Sequence, residues 1–180
     1  NRVSGRKDDP LRGHLLPGLP VNGVPSQLAD TALPFPYNDL DRLKTILERF
    51  PGEIAAVVME PTRATPPEAG FLEGVRRQCD RAGAVLVFDE ISIGWRLALG
   101  GAHLRYEVDP DIAVFAKAIG NGHPMGAIIG RAGVMQAAQE SFISSTYWTE
   151  GVGPTAALAT IHKMQRIDVR SHVAEIGTQW

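Results

Sequence analysis

The sequence predicts an α/β fold with a mostly parallel sheet. Three observations carry that expectation. Four short apolar runs, Ile54–Met59, Ala84–Phe88, Ile112–Phe115 and Ala127–Ile129, are rich in β-branched residues and bounded by breakers, as buried strands of a parallel sheet are. Stretches with apolar residues at helical spacing alternate with them, the pattern of strand–helix–strand units. Two of the runs lead into charged residues, Asp89 and Lys117, with no polar surroundings to make them ordinary surface charges. Ligands of such sheets bind beyond the carboxyl ends of the strands, where both residues fall.

Residues 1–36 read as an irregular lead-in, with six of the 13 prolines and no apolar period. The span 37–50 reads as a helix whose face carries Leu40, Leu43, Ile46, Leu47 and Phe50. Asn38 or Asp39 can cap it, and Pro51-Gly52 stops it. Ile54–Met59 is the first strand, ending at Glu60-Pro61. Thr62 to Pro67 is a loop, and Glu68 to Ala82 a second helix with an inner stripe of Phe71, Leu72, Val75 and Cys79; Gly83 ends it. The strand before Asp89 follows. Glu90 to Asp109 reads as irregular. The strand before Lys117, the Gly120-Asn121-Gly122 turn and a strand at Ala127–Ile129 come next. Ala132 to Glu140 reads as helical, Phe142 to Gly153 as a polar and aromatic connection, and Pro154 to Arg166 as a helix with proline in its first turn.

Composition removes several classes of function. A net charge of −2 over 180 residues gives no electrostatic case for nucleic acid, which needs clustered Lys and Arg. No run approaches 18 apolar residues, so no membrane span is expected. The single cysteine, Cys79, excludes an internal disulfide and falls on a helix's inner stripe, as a core residue would. Asn1–Arg6 has no apolar segment of signal-peptide type, and the default expectation is a soluble cytoplasmic protein. The five histidines lack metal-ligand spacing.

An Asp and a Lys converging at a sheet edge suit pyridoxal 5′-phosphate. Its chemistry needs a primary amine for its aldehyde and an anion beside its pyridine nitrogen, so that the protonated ring acts as an electron sink. The amine must be neutral to attack; the carboxylate must stay ionised. A buried structural Asp–Lys ion pair would show the same two residues.

The ordered set Phe88-Asp89-Glu90-Ile91, Gly94-Trp95-Arg96, Pro110-Asp111, Lys117, Gly120-Asn121-Gly122 and Gly126 to Arg131 resembles the class III (ω-type) aminotransferases of pyridoxal-phosphate fold type I, closest to the branch containing glutamate-1-semialdehyde 2,1-aminomutase. The resemblance runs from about Val24 onward. It implies that Lys117 forms the Schiff base and shuttles the substrate proton, that Asp89 partners the pyridine nitrogen, and that Ile91 packs on one ring face. It further implies amino-group transfer from a small amine donor to a carbonyl or semialdehyde acceptor, and a homodimer. In the family a threonine, followed at fixed spacing by Asn-Pro, binds the cofactor phosphate of the neighbouring subunit. Thr149 keeps the spacing to Pro154 but has Gly153 in place of the Asn; Thr146 is the alternative. Glu60 is given a supporting role, and Glu90 and Arg96 are expected as a structural ion pair near the site.

The family also places a Gly-Ser/Thr phosphate turn and a ring-stacking aromatic before this region and a small domain after it. Residues 1–36 show neither the turn nor the aromatic. The expectation is that 37–180 forms part of the large cofactor domain of a longer enzyme, and that the 180 residues alone are not competent. Two other functions compete. Ala84–Glu90 also resembles the Walker B strand of a nucleotide-binding protein, but no Gly-x-x-x-x-Gly-Lys-Ser/Thr accompanies it. A scaffold that keeps the fold without turnover is the other.

Overall fold

The computed structural model describes residue 11, residues 14–15 and residues 19–180. Of the irregular lead-in, residues 1–10, 12–13 and 16–18 lie outside the described residues, and with them the reading of Asn1–Arg6. The chain divides into two compact units, residues 1–51 and 52–180.

In the first unit, residues 19–39 are irregular apart from one 3-10 turn, Ser26–Leu28. Helix α1 follows at Leu40–Arg49. Of the two candidate caps Asp39 is the one used, its carboxylate accepting from the Arg42 amide at 2.8 Å. Asn38 sits at φ +65°, outside the helix. Leu43, Ile46 and Leu47 are buried, as the apolar period requires.

The second unit is a four-stranded sheet in the order β1 (Ala56–Met59), β2 (Val85–Asp89), β3 (Ile112–Phe115), β4 (Ala127–Gly130). The first three strands run parallel; β4 is antiparallel to β3. Chain length between the strands explains the reversal. Only residues 116–126 separate β3 from β4, too few for the dozen or more that a parallel crossover needs. The chain therefore turns back, and Lys117 lies in the turn.

Helix α2 (Phe71–Ala82) links β1 to β2 and packs on β2. It starts three residues later than its apolar pattern suggests, because Gly70 takes φ +79°. Phe71, Leu72, Val75 and Cys79 are buried, as are Val57, Met59, Leu86, Phe88, Ala113 and Phe115 on one side of the sheet. Burying side chains of this size gives about 1.5–3 kcal/mol each, which makes this layer the core of the unit. Cys79 is fully buried, and loss of solvation pushes its thiol up to about 11, so it is a core residue and not a reactive one. The opposite sheet side is more open, with Val58 and Ile128 more than half exposed.

Two short elements and two longer ones depart from expectation. The irregular span 90–109 contains a one-turn helix, α3 (His103–Tyr106), and the helix expected from Ala132 is α4 (Ala132–Met135) running into a 3-10 turn at Gln136–Glu140. Helix α5 (Val152–Met164) begins two residues before Pro154. Helix α6 (Val169–Thr178) follows it, where the sequence reading assigned nothing. Asp168 caps α6 by accepting from the Ser171 amide at 3.1 Å, but the helix buries no residue, so its apolar stripe is weak.

Candidate active site

Asp89 is the last residue of β2, and Lys117 lies two residues past the end of β3 on the neighbouring parallel strand. Both are therefore at the carboxyl edge, where the sequence places them. By strand alternation Asp89 leaves the sheet on the side opposite Phe88, the more open one. Its Oδ1 accepts from the Ile91 amide at 2.9 Å. The carboxylate is half-buried and has no ion-pair partner among the described residues.

Lys117 does not pair with it. Its Nζ donates to Ser92 Oγ at 2.8 Å, and that serine lies three residues beyond Asp89. The buried ion-pair alternative is not what forms. Instead the amine is tethered to the loop that leaves Asp89, and half-buried Ile91 is one of the two residues between. Ser92 is a site residue that the sequence reading missed. A lone serine between two isoleucines carries no period or spacing signal.

The backbone at Lys117 is itself unusual. Its φ of +49° lies in the left-handed region, where a non-glycine residue carries strain of about 1–3 kcal/mol. The strain is held by what surrounds it. Phe115, Ile119, Ala113 and Ala157 form a buried cluster, with Trp95, Met125 and Ala127 packed against it. Trp95 meets Phe115 edge-on, with ring centroids 6.0 Å apart. In the glycine turn that follows, a Cβ at Gly120 would overlap the His123 carbonyl oxygen, so only glycine permits that approach.

The loop after Asp89 is braced from within. Glu90 is fully buried, and its carboxylate accepts from the amides of Ala102 at 2.8 Å and His103 at 3.0 Å, and meets His103 Nδ1 at 2.8 Å. The expected Glu90–Arg96 ion pair is corrected: Arg96 is exposed and its Nε donates to the Ser92 carbonyl at 2.7 Å. The amides at α3 claim Glu90 because a buried carboxylate needs several donors at once, while Arg96 lies on the surface and is engaged by the Ser92 carbonyl.

Glu60 follows β1 at the same edge. Its Oε1 accepts from Arg63 at 3.1 Å, while its Oε2 is buried without a hydrogen-bond partner among the described residues.

Thr146 and Thr149 sit in one exposed turn, residues 146–149, with neither brought to Asp89 or Lys117 by any hydrogen bond among the described residues. The following helix N-terminus is taken. Glu150 accepts from the Val152 amide through Oε1 and from the Gly153 amide at 3.1 Å through Oε2. The glycine that replaces the family's Asn has a local cause: a Cβ there would lie 2.9 Å from the Pro124 carbonyl oxygen.

A cavity of about 680 Å3 lies at the other end of the sheet, lined by Arg76, Asp80, Asp109 and Arg131 among others. Neither Asp89 nor Lys117 lines it. Its charges form a structural network. Asp111 accepts from the Leu86 amide at 2.8 Å, from Arg76 at 2.8 Å and from Arg131 at 2.7 Å. Burial pushes its carboxyl up, but these three donors outweigh burial and hold it below the usual carboxylate value.

The chemistry of the donor set fits pyridoxal 5′-phosphate. An unpaired half-buried carboxylate can hold a protonated pyridine nitrogen, and a primary amine one strand away can reach an aldehyde on the same ring.

Comparison with known proteins agrees. A family model described as aminotransferase class III matches residues 21–179. Among solved structures, an omega-transaminase from Sphaerobacter thermophilus is 31% identical, with a TM-score of 0.73 over 79% of this chain and 35% of its own. The internal aldimine form of the FumI protein from Sphingopyxis sp. MTA144, with pyridoxal phosphate, is 26% identical, with a TM-score of 0.73 over 79% of this chain and 35% of its own. N-acetylornithine aminotransferase from Stenotrophomonas maltophilia K279a is 30% identical, with a TM-score of 0.60 over 72% of this chain and 34% of its own. The chain spans about a third of the length of these relatives. The α/β fold is that of the pyridoxal-phosphate-dependent aminotransferases. Since the family model spans most of its length, the chain belongs to the class III aminotransferases, whose cofactor is pyridoxal 5′-phosphate.

Proposed function

We propose that the protein containing this chain transfers an amino group from a small amine or amino acid to a carbonyl or semialdehyde acceptor, with Lys117 supplying the amine that condenses with the cofactor aldehyde. The observation that carries this is the pair of strand-end residues: Asp89 without a cationic partner among the described residues, and Lys117 tethered to Ser92 on the adjoining loop. When bound, the cofactor supplies an electron sink for the substrate carbon that loses its proton. Asp89 would hold the ring nitrogen protonated by charge. Lys117 would hold the cofactor at its aldehyde end and, at Nζ, would take and return the substrate proton. Ile91, half-buried between Asp89 and Ser92, is the residue proposed against the ring face.

The phosphate is assigned to Thr149, or to Thr146 beside it, reaching the site of a second copy. The surrounding segment supports a homodimer. Phe142, Tyr147 and Trp148 are all more than two-thirds exposed, a concentration of aromatic surface that monomers rarely present to water. The Walker-B-like reading of Ala84–Glu90 loses its basis, because its second acid is fully buried and its oxygens are occupied by Ala102 and His103. No described helix is long and apolar enough to cross a membrane. A cytoplasmic location is part of the proposal.

The test is optical and chemical together. The protein with pyridoxal 5′-phosphate should absorb in the visible, lose that band with an amine donor and regain it with a carbonyl acceptor. Borohydride reduction should leave the pyridoxyl group on Lys117. A band indifferent to every donor in a broad panel, or label on Lys44 or Lys163, overturns the reading. Regeneration by a single semialdehyde substrate, without a separate acceptor, would identify the aminomutase branch instead of a transaminase.

A further inference from the structure

We propose that Ser92 is a positioning residue for Lys117, holding the lysine amine on the Asp89 side of the carboxyl edge whenever that amine is not bonded to a ligand. The inference rests on the reading of Lys117 as the reactive amine and adds a residue to it. Three observations carry it.

The first is direct contact. Nζ donates to Ser92 Oγ at 2.8 Å, and this is the only hydrogen bond of Nζ among the described residues. Lys117 is exposed, so without the contact its four-carbon stem would sample many rotamers. The second is that Ser92 is itself held. Its carbonyl accepts from Arg96 Nε at 2.7 Å, the Gly94 amide donates to the Glu90 carbonyl at 2.8 Å, and the Ile91 amide is fixed on Asp89. The backbone that carries the serine hydroxyl is thus held on both sides, and the same loop is bonded to the Asp89 carboxylate. The third is the left-handed backbone at Lys117, which sets the starting direction of the side chain and is supported by the Phe115–Trp95 packing beneath it.

A hydroxyl suits the task because it is both donor and acceptor. It can accept from the ammonium form and donate to the lone pair of the neutral amine. The tether therefore survives the change of protonation that Lys117 must undergo when it takes up and returns a proton. Alanine offers neither contact; threonine offers both.

The experiment compares Ser92→Ala and Ser92→Thr with the unchanged protein. In the cofactor-free protein, trace labelling with acetic anhydride is measured at Lys117 relative to Lys163. Ser92→Ala should raise the ratio about fivefold, the factor expected from losing one hydrogen bond of ordinary strength. Ser92→Thr should leave it near the starting value. With cofactor, Ser92→Ala should lower kcat and leave KM for the amine donor nearly unchanged, and Ser92→Thr should restore kcat. If Ser92→Ala does not fold, Ser92→Cys replaces it, because a thiol keeps the volume and weakens the bond. An unchanged ratio with the pyridoxyl group still trapped on Lys117 overturns the role of Ser92 alone. Trapping on another lysine overturns both assignments.

Discussion

Arg76 on α2 and Asp111 at the entrance of β3 meet at 2.8 Å, with Asp111 only 5% exposed. This pair fixes the amino end of the strand that leads to Lys117. The same carboxylate accepts from the Leu86 amide, so one side chain joins α2, β2 and β3. Asp111→Ala should destabilise the protein by about 3 kcal/mol, because it leaves a half-buried arginine and a buried amide without their acceptor. Urea unfolding followed by circular dichroism measures it. A loss under 1 kcal/mol would show that Arg76 re-pairs fully with Asp80, its other partner at 2.7 Å.

The same residue sets an acid limit. The Asp111 carboxyl lies below its ordinary value of 3.8 in the folded chain, because the donors from Leu86, Arg131 and Arg76 outweigh the effect of burial. A lowered carboxylate contributes stability that is present above the unfolded value and lost as pH falls through the folded one. The contribution of Asp111 should therefore be complete at neutral pH and shrink below about pH 4. Melting curves from pH 7 to pH 3 on the parent and Asp111→Asn should converge toward the acid end. Parallel curves would count against the linkage.

At the other edge, Asp89→Asn should keep the fold and lower kcat by about 100-fold or more. The amide is nearly the same size and can still accept from the Ile91 amide, but it cannot hold a pyridinium proton by charge. Equal melting temperatures with near-normal turnover would make Asp89 structural.

The proposed sharing of sites between two copies is checked by mixing. Lys117→Ala and Thr149→Ala subunits should each be inactive as pure dimers. Exchanged, they should regain some activity, since one of the two sites in each mixed dimer has neither substitution. No recovery after verified exchange would argue that each site is built from one chain.

Gly153→Ala tests the seat of α5. The added Cβ would meet the Pro124 carbonyl oxygen at 2.9 Å and Met125 Cβ at 3.4 Å. The backbone must shift, at about 1–3 kcal/mol. Since Pro124–Met125 belongs to the turn that follows Lys117, weaker cofactor retention on gel filtration is expected along with the lower stability. An unchanged melt would show that the turn yields freely.

Where the sequence sufficed, short-range rules governed. Phe71, Leu72, Val75 and Cys79 recur at helical spacing, and all four are buried. Val85–Asp89 and Ile112–Phe115 are uninterrupted apolar runs between breakers, and both are strands. Charge at the ends of those runs located Asp89 and Lys117 at the carboxyl edge of the sheet. Helix α6 could also have been found locally, from Asp168 ahead of Val169, Val173 and Ile176, although it buries none of its residues.

The sequence by itself determined the strands, the main helices and the two edge residues, since each depends on the order of nearby side chains. Only the tertiary structure decided their partners. Lys117 binds Ser92, 25 residues away, and Glu90 turns to His103 and not to Arg96. Strand β4 runs antiparallel because the chain between it and β3 is too short to cross over. These choices depend on which donors and acceptors the packed sheet brings within about 3 Å of one another, and no periodicity along a chain encodes a distance through space.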